Sequence, residues 1–474
     1  MTLLAIVGLQ LAGNADRGLT INSRLCRRGA CHRLVRSVYY RSVFAARLRN
    51  PTRLAVTWNF FVSQLGAMTQ TLRAPFWNAA VQTMPVEQRR DLQLTRLQEA
   101  IETASSAPLF AGLLDGAGIT AADVGSLEDL RRIPIITKDD LRRSEAQAPP
   151  IGDYRVQPLS AAVRIGMSSG TTGKPTTMLW TRGDLEVECE LSARNHYRLG
   201  IRPGMVIVGA HPGYLNGGQQ LQQAAYEYMG CLLVSIGPPE SVEAAERALR
   251  AIDGLPVDRW QLFPAALDRL REAAERIGFR GLPSPEAGRP ESQYDKISAG
   301  QECVAYLGST CGQLPGAHLA EDHAIVEVID VLSGQPVANG ERGQLVVTSL
   351  GRDNPMLRYN VEDIVRVQSE PCPCGETTRR GFFEGRTKDV VYVADRAVLP
   401  IDVALNLPVG TEYVILRYPA PSSELHVRIE GQPDVDAPER ISAAIGVRVR
   451  VEWVSEGALP RAAYKAQRVL DVPA

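Results

Sequence analysis

The chain has 474 residues, 45% of them hydrophobic, with 52 basic against 53 acidic side chains and a formal net charge of -1. Its length supports two or three structural units around a large buried core. The balanced charge gives no electrostatic case for nucleic acid or an anionic membrane as partner, and small-molecule chemistry becomes the better expectation. No run approaches the roughly 18 apolar residues of a membrane span, and the opening Met1-Thr-Leu-Leu-Ala-Ile-Val lacks the basic start of a secretory signal. Eight cysteines spread along such a length are too sparse for a disulfide framework, so a reducing cytoplasm is the expected compartment.

Residues 1–71 read as an N-terminal extension, with ten arginines between Arg17 and Arg53 against the single acid Asp16. The composition suits a targeting peptide, an extended start or a helical arm, and carries no chemistry. From Val86, the spacing of Leu92, Leu94, Leu97 and Ile101 among charges predicts an amphipathic helix. Short β-branched runs at Val206, Cys231, Ala324 and Gln344 then alternate with helical stretches at Ser241 to Ala251 and Ala265 to Ile277, an order that argues for layered α/β architecture over residues 72–387. Gly281 to Gln293 is a Pro/Ser/Gly-rich loop. After Lys388 come strands at Glu412 to Arg417, Glu424 to Ile429 and Val447 to Val454 and a helix near Pro438 to Ala444, which predict a small α+β lid domain over residues 388–474.

Five of the 52 basic residues are lysine: Lys138, Lys174, Lys296, Lys388 and Lys465. In so arginine-biased a chain, a lysine marks a need for a compact ammonium more often than a need for solubility. Lys174 lies in Ser168-Ser169-Gly170-Thr171-Thr172-Gly173-Lys174-Pro175-Thr176. Glycines let backbone N–H groups approach an anion, hydroxyls add donors and the lysine adds charge, so this loop is built to wrap phosphate. It is not a Walker A loop, because Pro175 stands where Ser or Thr would follow the lysine. A second constellation joins Cys311-x6-His318 to Cys372-Pro-Cys374-Gly375, a donor set able to close a tetrahedral Cys3His site of the kind that holds structural zinc.

The glycine-rich loop resembles the phosphate-binding signature of adenylate-forming enzymes. Phe76-Trp-Asn, Leu127-Glu-Asp-Leu-Arg-Arg-Ile-Pro and Thr137-Lys-Asp-Asp-Leu upstream, with Arg358-Tyr-Asn-Val-Glu-Asp363 and Gly385-Arg-Thr-Lys388 downstream, are similar to the phenylacetate-CoA ligase branch. The resemblance covers residues from about 72 to the C terminus. It implies ATP- and Mg2+-dependent conversion of a small carboxylate, aromatic in this branch, to an acyl-adenylate, followed by transfer to CoA or another acceptor. It further implies that Ser168 to Gly173 wrap the phosphates, that Asp363 holds the ATP ribose hydroxyls and that Arg386 reaches the nucleotide. By the same token, Lys388 is the hinge of the small domain. Lys465, in Leu459-Pro-Arg-Ala-Ala-Tyr-Lys465, steadies the carboxylate and α-phosphate. Tyr214, Gly217 and Gly218, within His211-Pro-Gly-Tyr-Leu-Asn-Gly-Gly218, correspond to the segment lining the acid pocket. Tyr214 reads equally well as a core tyrosine beside a tight turn. Some members of the branch carry zinc on matching C-x6-H and CxC elements.

The chain departs from the family pattern in three places. After Leu307-Gly-Ser-Thr the family has a glutamate that binds Mg2+, and here Cys311 follows; Glu302 and Glu321 are the nearby carboxylates. The segment between Ile297 and Tyr306, which forms part of the adenine wall in the family, is abridged. Asp395 replaces a glycine beside the pantetheine path and Tyr464 the glycine before the catalytic lysine, so adenylation is better supported than thioester formation. The rival expectation is a noncatalytic descendant that keeps nucleotide or acid binding, against which the retained Lys174, Lys388 and Lys465 speak.

Overall fold

The computed structural model describes residues 75–473 except 168–174, 211–214, 216, 263, 284–295, 298–302, 395, 420–421 and 461–466. The Arg-rich extension therefore lies outside the described residues. The chain enters through α1 (Ala79–Gln82) and the long α2 (Val86–Ala104), which buries Leu97, Ala100, Ile101 and Ala104 along one face. α3 (Pro108–Ala117) begins with a proline and stops at Gly118, whose φ of 58° supplies the left-handed residue that closes a helix C terminus. α4 (Lys138–Gln147) starts at Thr137, where the Asp140 carboxylate accepts both the Thr137 N–H and its hydroxyl at 2.7 Å.

β1 (Arg164–Met167) and β2 (Thr177–Trp180) pair antiparallel and hold the glycine-rich loop between them. α5 (Arg182–Arg198) follows at once, capped by Thr181. A three-stranded parallel sheet comes next, in the order β4-β3-β5, from β3 (Val206–Gly209), β4 (Leu232–Ser235) and β5 (Arg259–Gln261). Its crossovers are α6 (Gly217–Tyr228) and α7 (Val242–Ala251), with α8 (Pro264–Ile277) after β5. All of β3 is buried, as a parallel strand covered on both faces requires.

The largest sheet has seven strands in the order β6-β7-β8-β12-β11-β10-β9. They are β6 (Lys296–Ile297), β7 (Gly308–Ser309), β8 (Ala317–Leu319), β9 (Ala324–Ile329), β10 (Arg342–Ser349), β11 (Tyr359–Gln368) and β12 (Arg380–Arg386). The hairpin β13 (Val391–Val393) and β14 (Arg396–Val398) leads through α9 (Pro400–Ala404) to a four-stranded sheet ordered β17-β16-β15-β18. That sheet is built from β15 (Tyr413–Arg417), β16 (Glu424–Glu430), β17 (Arg448–Val454) and β18 (Val469–Asp471), with α10 (Ala437–Ile445) against it. The elements expected from the sequence fall within two residues of those observed. The α/β layers over the larger part and the α+β pattern after Lys388 are both present.

Among the described residues the two largest apolar clusters are separate. The first joins α2 and α3 to the seven-stranded sheet through Leu97, Phe110, Leu345, Val347 and Tyr359. The second, around Val403, Ile415, Val427, Ile429 and Ile441, contains no described residue before Val391. A small cluster of Ile364, Val390 and Leu399 lies where the two meet. Among the described residues no helix is long and apolar enough to cross a membrane.

Between β8 and β9, His323 packs with Nδ1 3.2 Å from the Leu350 carbonyl oxygen and Nε2 3.6 Å from Asp322. Burial lowers its pKa from 6.5 to about 4 despite the neighbouring carboxylate. The unfolded chain takes up this proton near pH 6.5 and the folded chain only near pH 4, so acidification across that window favours unfolding. The melting temperature is expected to fall as pH drops from 6.5 to 4, less steeply in His323→Asn. Equal slopes in the two proteins would assign the pH dependence to other groups.

Candidate active site

Segments far apart in sequence meet at the mouth of the 168–174 loop. The Met167 N–H donates to the Leu215 carbonyl at 2.6 Å. One residue earlier, Gly166 faces the first turn of α6 so closely that a Cβ would stand 2.9 Å from Gly217 Cα and from the Trp180 ring. Only two glycines allow β1 and α6 to approach this far. The Tyr306 hydroxyl donates to the Gly218 carbonyl at 3.1 Å, and the Ala305 N–H donates to Glu188 Oε1 at 3.0 Å, fixing that segment to α5. On the far side of the loop, the Thr177 N–H donates to Glu145 Oε1 at 2.9 Å. The residues flanking the loop are thus held on both sides, by the exposed Leu215 carbonyl at one end and the buried Glu145 carboxylate at the other.

The Arg358-to-Asp363 motif runs from the start of β11 through a distorted stretch. Arg358 and Glu362 have φ of 43° and 64°, left-handed values that cost a non-glycine residue about 1 kcal/mol or more. Arg358 is held there by a fork onto Glu327, at 2.9 Å to each oxygen, and by the Ile133 carbonyl; the Glu362 N–H donates to Asn360 Oδ1 at 2.9 Å. The distortion precedes Asp363, which pairs in register with Arg386 of β12, Oδ1 lying 3.5 Å from Nε. Lys388 follows in a single turn, exposed, its carbonyl accepting from Arg417 Nη1 at 2.6 Å.

Of the residues expected at the site, the structure brings Gly217 and Gly218 to the phosphate-loop mouth and sets Asp363 against Arg386. Ser168, Ser169, Gly170, Thr171, Thr172, Gly173, Lys174, Tyr214 and Lys465 lie outside the described residues, as do Glu302 and Asp395. Glu321 is not available as a substitute Mg2+ ligand: it is buried, accepts from Arg379 Nε at 2.5 Å and lies 3.4 Å from Arg89 Nε. Its charge is already neutralised within the fold.

Cys311, His318, Cys372 and Cys374 converge, their ligand atoms all within 4.8 Å of one another. Cys311 Sγ lies 3.5 Å from Cys372 Sγ, and Cys374 Sγ 3.3 Å from His318 Nε2. A tetrahedral zinc with Zn–S near 2.3 Å sets sulfur–sulfur edges of about 3.8 Å, so the cluster has the dimensions of such a site. The His318 Nδ1–H donates to the Thr378 carbonyl at 3.2 Å, which turns Nε2 toward the thiols, and burial holds the imidazole below its usual pKa, in the neutral form a metal needs. Gly375 has φ of 87° and donates its N–H to the Cys372 carbonyl at 3.1 Å, closing the turn that presents both sulfurs. Next to it, Glu376 receives a fork from Arg198 at the end of α5, Nε to Oε2 at 3.1 Å. Sequence reading did not single out Thr378, Glu376 or Arg198.

The chain matches none of the protein-family models with which it was compared. Over 414 residues it is 31% identical to a phenylacetate-coenzyme A ligase of Thermus thermophilus, across 79% of this chain and 87% of that one. The chain belongs to the phenylacetate-coenzyme A ligase family. Its fold is that of the adenylate-forming ligases. Against 2-hydroxyisobutyryl-CoA ligase in the postadenylation state, in complex with R3-HIB-AMP, the TM-score is 0.70 at 25% identity, covering 84% of this chain and 93% of the other. Against the same ligase in the thioesterification state, in complex with 2-HIB-AMP and CoA, the TM-score is 0.58 at 26% identity, covering 84% and 92%.

The Gly166 contact is testable without any ligand. Gly166→Ala is expected to force β1 and α6 apart and to destabilise this ligase by about 1–3 kcal/mol in denaturant unfolding; unchanged stability would mean that the corner yields freely.

Proposed function

We propose that the chain uses ATP to convert an aromatic carboxylate to an acyl-adenylate, releases pyrophosphate, and passes the acyl group to CoA. The observation that carries this reading is the corner where β1, the Gly217-Gly218 turn and Tyr306 meet at the mouth of a Ser/Thr/Gly/Lys loop. The residues on either side of this loop are held in place, and its glycines, hydroxyls and lysine are the donors and charge that binding a triphosphate demands.

Attack of a carboxylate on the α-phosphorus brings two anions together, and in this reading Lys174 and Lys465 supply the neutralising charge. Asp363 accepts hydrogen bonds from the ribose hydroxyls, and its pairing with Arg386 fixes the carboxylate beside the hinge. Gly217, Gly218 and Tyr214 line the acid pocket. Residues 72–387 form the large domain and 388–474 the lid that turns at Lys388 between steps. No described carboxylate stands where the family places its Mg2+ ligand, because Cys311 occupies that position and belongs to the Cys/His cluster. Cys311, His318, Cys372 and Cys374 fit zinc, held as a structural staple.

A noncatalytic nucleotide- or acid-binding protein is the second reading, favoured by that same Cys311. Carboxylate-dependent ATP–pyrophosphate exchange, measured with phenylacetate, benzoate and short hydroxy acids, separates the two. Exchange with an aromatic acid is the expected result, with Lys465→Ala about 100- to 1,000-fold slower. Exchange confined to small aliphatic acids would move the substrate class, and exchange with none, from folded and metal-loaded protein, would leave the noncatalytic reading. For the metal, elemental analysis is expected to find about one zinc per chain, with Cys374→Ser lowering both zinc content and melting temperature. Zinc-free protein of undiminished stability would remove the staple.

A further inference from the structure

The part of the chain before Lys388 touches the part after it through a bidentate ion pair that no motif announces. Arg342, the first residue of β10, donates through Nη1 and Nη2 to both oxygens of Asp402, at 3.0 and 2.8 Å, and through Nε to Glu384 at 2.5 Å. Asp402 lies in α9, and its neighbour Val403 is wholly buried in the core of residues after Val391, so the carboxylate moves with that core. Arg342 and Glu384 belong to the seven-stranded sheet. The pair is half-sheltered, with 33% and 17% of the Arg342 and Asp402 side chains exposed. Around it, Leu399 packs on Ile364 and Val390, and Gly385 runs so close to Leu399 that a Cβ would stand 3.0 Å from its Cδ2.

These contacts all belong to one arrangement of the two parts. A turn at Lys388 would carry Asp402 away from Arg342 and leave a forked guanidinium–carboxylate pair to be replaced by water. A similar ligase has been solved in postadenylation, open and thioesterification forms, and agreement is closer with the first than with the others, TM-score 0.70 against 0.63 and 0.58 at nearly equal identity and coverage. We propose that the Arg342–Asp402 pair is a latch that holds the chain in the arrangement for adenylation and must open before the acyl group passes to its acceptor. This inference rests on the two-step reading above. Glu384 and its second partner, Arg366, both belong to the seven-stranded sheet, so that contact does not join the two parts.

The test uses full-length Arg342→Ala, Arg342→Lys, Asp402→Asn and the Arg342→Ala/Asp402→Asn double variant. Asn at 402 keeps an oxygen for the Leu399 N–H that Asp402 now accepts at 2.8 Å, so α9 retains its N-terminal bond. Three quantities are read: amide hydrogen exchange in peptides spanning 399–405, phenylacetate-dependent ATP–pyrophosphate exchange, and thioester formation from phenylacetyl-adenylate and CoA. The latch predicts about tenfold faster amide exchange in Arg342→Ala and Asp402→Asn, no further increase in the double variant, and an intermediate rate in Arg342→Lys. It also predicts that the ratio of thioester formation to pyrophosphate exchange rises about tenfold. Unchanged amide exchange, additive effects in the double variant, or both half-reactions falling in proportion would overturn it. Wild-type protein that forms neither product would refute the two-step reading and the latch's part in it, whereas amide exchange would still report whether the pair joins the two parts.

Discussion

Buried charge has to be paired, and in this protein the requirement is concentrated on one helix. α5 carries Asp184, Glu188, Arg194, Asn195 and His196 at positions nearly closed to water. Glu188 is fully buried and meets Arg352 Nη2 at 2.8 Å; Arg194 forks onto Asp322 at 2.8 and 2.9 Å; Arg198 forks onto Glu376. Leaving one member of such a pair alone in the interior costs about 3–5 kcal/mol, more than a typical core contact. The partners therefore have little freedom to shift.

That rigidity reaches both candidate sites. At its start α5 follows β2, the strand leaving the phosphate loop, and Asp184 accepts from the Asp353 N–H at 2.9 Å and from Asn354 Nδ2 at 3.1 Å. Midway, Glu188 holds the segment that carries Tyr306. At its end, Arg198 grips the loop of Cys372 and Cys374 and also reaches Ser309 at 3.2 Å, beside Cys311. The Cys/His cluster and the corner of β1, α6 and Tyr306 are thus tied to the same polar helix.

What could be read from sequence was what is local. The phosphate loop shows itself in nine consecutive residues, the CPCG turn in four, and periodicity placed the helices and most strands because burial of one face imposes a repeat. The Cys/His quartet was legible despite its span because thiols and imidazole are rare donors in this chain. The polar partners of α5 were not, since an arginine 164 residues from its glutamate leaves no pattern. Nor was Arg342–Asp402, two common residue types 60 positions apart. Glu321 shows the converse, a carboxylate near a motif, supported by none, whose engagement by Arg89 and Arg379 is visible only once the chain is folded.

The same long-range pairing bears on how the chain is made. α5 leaves the ribosome well before its partners, with Asp322 lying 128 residues and Glu376 178 residues further along. Until they arrive, its charges are better satisfied by water than by any interior yet available, and the loop entropy of waiting grows only slowly with length. Burying this helix before the partner residues are synthesised would leave its charges unpaired, so compaction around it is expected to wait for them. A fold organised in this way closes late and as a whole.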